Sequence, residues 1–255
     1  MTSQAGRVAV VSGGGRGIGA AISKRLAAQG ATVAVNYRRD EAAAQQTVAE
    51  IMAAGGKAVA YQASVDDAAQ VEVMVAQLLA DLGTVDILVC NAGTASRGQS
   101  LVDTDPAEFG RLFGTHVLGA ANLCRLLVPT MREHERGDVV VISSVATRRA
   151  TANGGPYMMA KAALEAFAQT LALEELEHGI HVNIVAPGLV VTDMGDRLVR
   201  AVAGLDSASA LDGQSPFGHV CRPEEIADVV AYLCSPEASY VNGQKIYVDG
   251  GGSRL

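Results

Sequence analysis

The sequence has no tryptophan, and aromatic residues make up only 4 % of its 255 positions. Charged residues are 18 % and hydrophobic residues 49 %. A core built mainly of aliphatic side chains follows, and the length suffices for one large domain with a sheet buried on both faces. Positive charge is in short supply: 20 Lys and Arg stand against 27 Asp and Glu, a net charge of −7. Such a chain repels polyanions, so nucleic acid and acidic membrane surfaces are excluded as expected partners. There are four cysteines, Cys90, Cys124, Cys221 and Cys234, none in a CxxC pair and none at metal-ligand spacing from a histidine. A secreted disulfide scaffold and a zinc site are excluded, and reduced core thiols are expected. No uninterrupted apolar run reaches the roughly eighteen residues of a membrane helix. The start, MTSQAGRVAV, has no basic segment leading into an apolar stretch. No signal or transit peptide is expected, and the expected location is the cytoplasm.

What is present is a regular alternation. Seven short apolar runs, Val8–Val11, Thr32–Asn36, Ala58–Tyr61, Val85–Cys90, Val139–Ile142, His181–Val185 and Lys245–Val248, read as strands. Several are apolar at consecutive positions, as strands of a two-sided parallel sheet are. Between them lie helical patterns, marked by Ile18, Ile22 and Leu26, by Val48, Ile51 and Met52, and by Val71, Val75 and Leu78. Repeated strand–helix units predict an α/β fold, a single doubly wound domain over 1–255. The stretch 193–217 breaks the rhythm with scattered apolars and many small residues. Its length without a strand suggests a substrate lid, the alternative being a disordered surface insertion.

The first strand runs directly into Gly13-Gly14-Gly15-Arg16-Gly17-Ile18-Gly19 and then a helix. Glycines permit a tight turn and let a pyrophosphate approach backbone N–H groups at a helix N-terminus. A glycine-rich turn alone is weak, but between the first strand and first helix it predicts a dinucleotide site. An acid ending the second strand would bond the ribose of NAD. Here that strand ends Asn36-Tyr37-Arg38-Arg39, without an acid, and Arg16 lies in the glycine turn. Guanidinium groups suit a phosphate dianion, so NADP(H) is the expected cofactor. The competing reading is a solvated loop.

Tyr157 and Lys161 stand four apart, one turn along a shared helix face. A phenol is a poor acid–base group until a nearby ammonium stabilises its anion. Ser144 follows the strand Val139–Ile142, at the carboxyl end where α/β sites lie. Its hydroxyl can bond a substrate carbonyl while Tyr157 protonates it.

Taken together, the glycine turn 13–19, Asn91-Ala92-Gly93, Ser144, Tyr157-x-x-x-Lys161 and Pro187-Gly188 resemble the short-chain dehydrogenase/reductase family over essentially the whole chain. The resemblance implies a seven-stranded Rossmann-type sheet and hydride transfer between NAD(P) and a carbonyl or alcohol. It implies that Asn91, Ala92 and Gly93 line the cofactor, with Pro187 and Gly188. Val190 and Thr192 are expected at the nicotinamide amide, and Ser64 and Val65 beside the adenine. It also implies a homotetramer, with the long helices flanking the fifth strand at one interface.

Three positions depart from the family pattern. His116 replaces an asparagine that serves a proton relay, Ser64 replaces an acid, and Cys90 replaces a second asparagine. Histidine can both donate and accept, so it either takes over the relay or fills a core position.

The expected activity is NADPH-dependent reduction of a hydrophobic ketone, with Tyr157 as proton donor. The approach Asn153-Gly154-Gly155-Pro156, the Leu/Val-containing lid and an Arg- and Ala-rich, GC-rich-type composition suggest a ketoreductase of polyketide or other secondary metabolism. A polycyclic aromatic ketone would fit. The chain is also similar to β-ketoacyl-carrier-protein reductases, but Glu135 and His178 stand where those enzymes place basic carrier-docking residues. A 3-ketoacyl thioester, a sugar or a steroid remain alternative substrates, and an NADPH-binding regulator is the non-enzymatic alternative.

Overall fold

A computed structural model describes residues 4–251. Seven parallel strands form one sheet in the order β3-β2-β1-β4-β5-β6-β7. They are β1 (Val8–Val11), β2 (Thr32–Tyr37), β3 (Lys57–Gln62), β4 (Ile87–Cys90), β5 (Gly137–Ile142), β6 (Ile180–Pro187) and β7 (Lys245–Val248). Every expected strand is present, with ends shifted by up to two residues. Because β1 lies between β2 and β4, the strand order reverses beside it, which opens a crevice at the carboxyl ends.

Strand periodicity divides the core in two. Val10, Leu88, Cys90, Val139 and Val141 face one side, where they meet α3 (Ala68–Leu82), α5 (Gly119–Met131) and α6 (Gly155–Glu174). Ala9, Val11, Ile87, Val89, Val140 and Ile142 face the other, against α1 (Gly17–Ala28), α2 (Glu41–Ala53) and α8 (Pro223–Leu233). Central β4 and β5 are therefore buried at every position, whereas edge strand β3 is only partly covered. On α2, Val48 and Ile51 are buried as expected, but Met52 is 61 % exposed. One helical step carries it off the packed stripe.

Helix α4 (Pro106–Phe113) continues through a π-helical turn, Gly114–Leu118, into α5. Together they make a 26-residue helix, Pro106–Met131, long and apolar enough to cross a membrane, with 56 % of its most apolar window buried in the protein. The segment 193–217 is folded. It contains helix α7 (Asp193–Ala203), which the sequence pattern did not reveal, followed by 3-10 turns. Val199, Ala208 and Val220 give it a small core of its own, backed by Leu189 and Val191. The four cysteines are free, three of them buried.

Asp138, at the start of β5, is 1 % exposed and binds two arginines, Arg7 at 2.7 Å and Arg136 at 2.8 Å. The same guanidinium groups reach the carbonyls of Cys234 and Leu233 at the end of α8. Asp138→Ala removes the anion from two partly buried cations, and about 3 kcal/mol of unfolding free energy is expected to go with it. Urea unfolding measures this; a loss below about 1 kcal/mol would mean that water replaces the carboxylate.

Candidate active site

The glycine turn crosses the carboxyl end of β1. Gly13 and Gly17 have φ of +61° and +54°, a left-handed conformation that glycine adopts without strain. A Cβ on Gly19 would lie 2.1 Å from the Gly13 carbonyl oxygen, so that position admits no side chain. Gly15 has a different role: a Cβ there would lie 2.8 Å from Ala44 Cα, so its absence lets α2 close in. Ser12 Oγ accepts from the N–H groups of Asn91 and Ala92 at 2.9 and 3.0 Å, and Asn91 Nδ2 donates to the Ser12 and Gly13 carbonyls. These bonds tie the turn to the end of β4.

Helix α1 begins with no side-chain cap and no acid in its first turn. By contrast, Asp40, Asp67, Asp105 and Thr192 cap α2, α3, α4 and α7. Open N–H groups and the positive end of the helix dipole leave the turn suited to an anion, so the residues present fit the pyrophosphate of a dinucleotide. Thr192 lies over it, its Cγ2 3.4 Å from where a Gly17 Cβ would stand. The loop after β6 thereby reaches the turn.

Around this frame the other expected cofactor residues fall into two groups. Arg16, Arg38 and Arg39 are exposed, and among the described residues none forms an ion pair. Asn36 and Val65 are turned inward. The Asn36 side chain accepts from Gly13 N–H and donates toward the Tyr61 and Ala63 carbonyls. It braces β2, β3 and the glycine turn, and is 2 % exposed. Tyr37 is half-buried beside it. Val65 packs against Gly119, leaving Ser64 as the more accessible of that pair. Val190 is likewise buried, its carbonyl accepting from Thr192 Oγ1 at 3.3 Å. Gly188 N–H donates to Val248 O, which holds the Pro187-Gly188 turn against the end of β7.

Ser144, Tyr157 and Lys161 come together across β5 and α6. Ser144 caps a 3-10 turn, Val145–Thr147, and its hydroxyl hydrogen-bonds the Tyr157 phenol. Burial raises the phenol pKa and the Ser144 bond works against that rise. Lys161 is 4 % exposed and donates from Nζ to the Ile142 carbonyl at 2.7 Å. Burial pushes its pKa down to about 7, opposed by the Glu165 carboxylate. Its ammonium stands 5.8 Å from the Tyr157 ring centroid.

His116 lies on the π-helical turn, with its ring edge-on to Tyr157 at 5.5 Å between centroids. Nε2 meets the Thr94 carbonyl at 2.9 Å, while Nδ1 is buried without a partner. A Cβ on Gly93 would lie 2.7 Å from the imidazole Cε1, so that glycine makes room for the ring. Burial and the Lys161 charge hold the His116 pKa down at about 3, and the ring is neutral at working pH. Glu108 and Arg111 escaped sequence reasoning. Glu108 accepts from Ser96 and the Arg97 N–H, and Arg111 donates to Thr94 and Ala95. They fasten the loop after β4, and a helix-face pattern gave no signal for that. Among the described residues no cluster of His, Cys, Asp and Glu could hold a metal.

The family described as enoyl-(acyl carrier protein) reductase, adh_short_C2, matches residues 13–253. The chain belongs to the short-chain dehydrogenase/reductase family. Among its relatives, an uncharacterized oxidoreductase of Methylorubrum extorquens is 38 % identical over 98 % of this chain and 99 % of its own length. The 3-oxoacyl-[acyl-carrier-protein] reductase of Escherichia coli is 35 % identical over 96 % and 97 %. Two solved structures superpose closely. A 7α-hydroxysteroid dehydrogenase complexed with NADH and 7-oxo glycochenodeoxycholic acid has a TM-score of 0.90 at 31 % identity, covering 99 % of this chain and 96 % of that one. The L-sorbose reductase of Gluconobacter frateurii, complexed with NADPH and L-sorbose, has 0.91 at 27 %, covering 100 % and 99 %. The protein is thus an oxidoreductase of this family, acting between C=O and CH–OH with a nicotinamide cofactor.

Unpaired arginines at the end of β2 should favour a 2′-phosphate. Arg38→Ala is expected to weaken NADPH binding about tenfold or more and leave NADH binding unchanged, read by fluorescence titration. Equal affinities for the two cofactors in the unaltered protein would refute the preference.

Proposed function

We propose that the protein is an NADPH-dependent ketoreductase, and the convergence of Ser144, Tyr157 and Lys161 carries this reading. The bound nicotinamide supplies a hydride to the carbonyl carbon. Ser144 orients the carbonyl oxygen by its hydroxyl, and Tyr157 donates its proton to that oxygen. Lys161 stabilises the phenolate left behind, an effect strengthened by the dry surroundings of both groups. The neutral His116, with its free Nδ1, holds the water through which the proton is replaced, so it acts in the relay rather than as filling. Arg16, Arg38 and Arg39 hold the 2′-phosphate, and the open N-terminus of α1 holds the pyrophosphate.

The substrate is a hydrophobic ketone. Apolar side chains stand exposed on the two segments that flank the site: Leu101 and Val102 after β4, and Leu198, Val202 and Phe217 within 193–217. Leu101 lies over Gly155 at the start of α6, two residues before Tyr157. We read 193–217 as the lid and the substrate as a polyketide-type or related polycyclic ketone. A second reading, a 3-oxoacyl thioester, fits at least as well with the relatives' names. Against an acidic carrier, Glu133, Glu135 and Glu177 are exposed around the ends of the α5 and α6 segments. The proposed assembly is a homotetramer, whose helix faces would cover Leu118, Met159 and Leu173.

NADPH oxidation with polycyclic ketones, quinones and 3-oxoacyl thioesters tests the function. Tyr157→Phe is expected to lower kcat about a thousandfold while NADPH still binds. Retained turnover would overturn the role of Tyr157. Tight NADPH binding with no turnover of any substrate would favour the regulator.

A further inference from the structure

Behind the reacting groups lies a second charged cluster that the reaction as described leaves unused. Glu165 stands one turn beyond Lys161 and two beyond Tyr157 on α6. Its side chain is 12 % exposed and that of Lys245, on β7, is 18 % exposed; the two meet at 2.7 Å. Ser143 Oγ donates to Glu165 Oε1 at 2.5 Å, and Thr147 Oγ1 lies 2.8 Å from the same oxygen. Thr147 Oγ1 is also 2.9 Å from the Ser144 carbonyl, and Lys245 Nζ donates to Thr147 Oγ1 at 2.8 Å. Lys245 Nζ sits 4.9 Å from the Tyr247 ring centroid, and Arg148 Cζ lies 5.2 Å from the same centroid.

The cluster joins three elements. One carries Tyr157 and Lys161, one is the turn that carries Ser144, and the third is strand β7. Few other charges face Lys161. On its own helix there are Tyr157 and Glu165, from the π-helical turn there is the neutral His116, and Lys245 acts through Glu165.

We propose that the Glu165–Lys245 pair is a positioning brace, which holds the Ser144 turn against α6 and sets how firmly Lys161 keeps its proton. Glu165 and Lys245 are positioning residues: neither touches the reacting atoms. This inference rests on the ketoreductase reading for its kinetic consequence, but the electrostatic one stands apart from it. A carboxylate one turn away favours the ammonium form of Lys161. Lys245 partly cancels that carboxylate: burial acts against its charge, yet its bonds to Glu165 and Tyr247 keep it charged. Removing either partner should therefore move Lys161 in opposite directions.

Glu165→Gln and Lys245→Met decide the matter, with Lys245→Arg as the conservative control. Expected in Glu165→Gln is an alkaline limb of kcat shifted about one pH unit lower, with NADPH affinity within about twofold of the unaltered protein. Lys245→Met is expected to shift the limb the other way, and Lys245→Arg to leave it in place. A second readout is Tyr157 ionisation by difference absorbance, each variant measured against its Tyr157→Phe counterpart. The phenol pKa should fall in Glu165→Gln, which loses a nearby negative charge, and rise in Lys245→Met, which loses a positive one. Shifts of the same sign in both variants, or a lower kcat with an unmoved limb and an unmoved tyrosine, would overturn the proposal. Should no ketone be reduced, the ketoreductase reading fails, and the tyrosine titration still decides the brace. Should Glu165→Gln not fold, the contrast between Lys245→Met and Lys245→Arg decides it.

Discussion

A lysine ammonium held inside the protein by a single carbonyl, that of Ile142, is the constraint on which the site depends. Burial makes the charge costly, so Lys161 is poised near neutrality instead of permanently charged. The same burial strengthens its effect on the Tyr157 ring beside it. Both partners of the lysine are delivered by the fold: the carbonyl by the end of β5, the phenol by the preceding turn of α6. Any slip between strand and helix would leave a buried cation without a partner, which explains the density of polar ties between the β5–α6 turn, α6 and β7.

The dinucleotide end of the crevice is organised by the opposite means, through groups left open. Helices α2, α3, α4 and α7 close their N-termini with an aspartate or threonine, and α1 does not. Its donors point where β1 ends and where the strand order reverses. Asn36, Ser12 and Asn91 use nearly all their hydrogen-bonding capacity to hold the turn in shape. They act through the backbone, while the exposed Arg16, Arg38 and Arg39 present charge directly. Removal of side-chain volume matters as much as charge: glycines at 19 and 93 admit the turn and the His116 ring, respectively.

Much of this was legible in the residues. Seven Val- and Ile-rich runs marked seven strands because a two-sided parallel sheet needs apolar side chains at consecutive positions. Ser144, Tyr157 and Lys161 were legible because strand end and helix pitch bring such spacings together. Less legible was anything whose role depends on direction. Asn36 and Val65 fell in the cofactor segment of the chain, yet their side chains turn into the protein. Met52 fitted a helical stripe and faces solvent. Helix α7 was hidden because charges and small residues interrupt its apolar positions, and because Leu189 and Val191, which back its small core, lie outside it. Glu108 and Arg111 gave no signal, since their partners lie in a loop with no pattern of its own.

The sequence by itself determined the layers, the order of strands and helices, and the chemical types that meet at the crevice. Those follow from local periodicity and from where glycine, hydroxyl, phenol and amine fall relative to strand ends. Only the tertiary structure decided which of them are neutral, which are braced and which face outward. Protonation and orientation depend on what surrounds a group in space: the dryness around His116 and Lys161, the Ile142 carbonyl, and the Glu165–Lys245 pair drawn from opposite ends of the chain's second half.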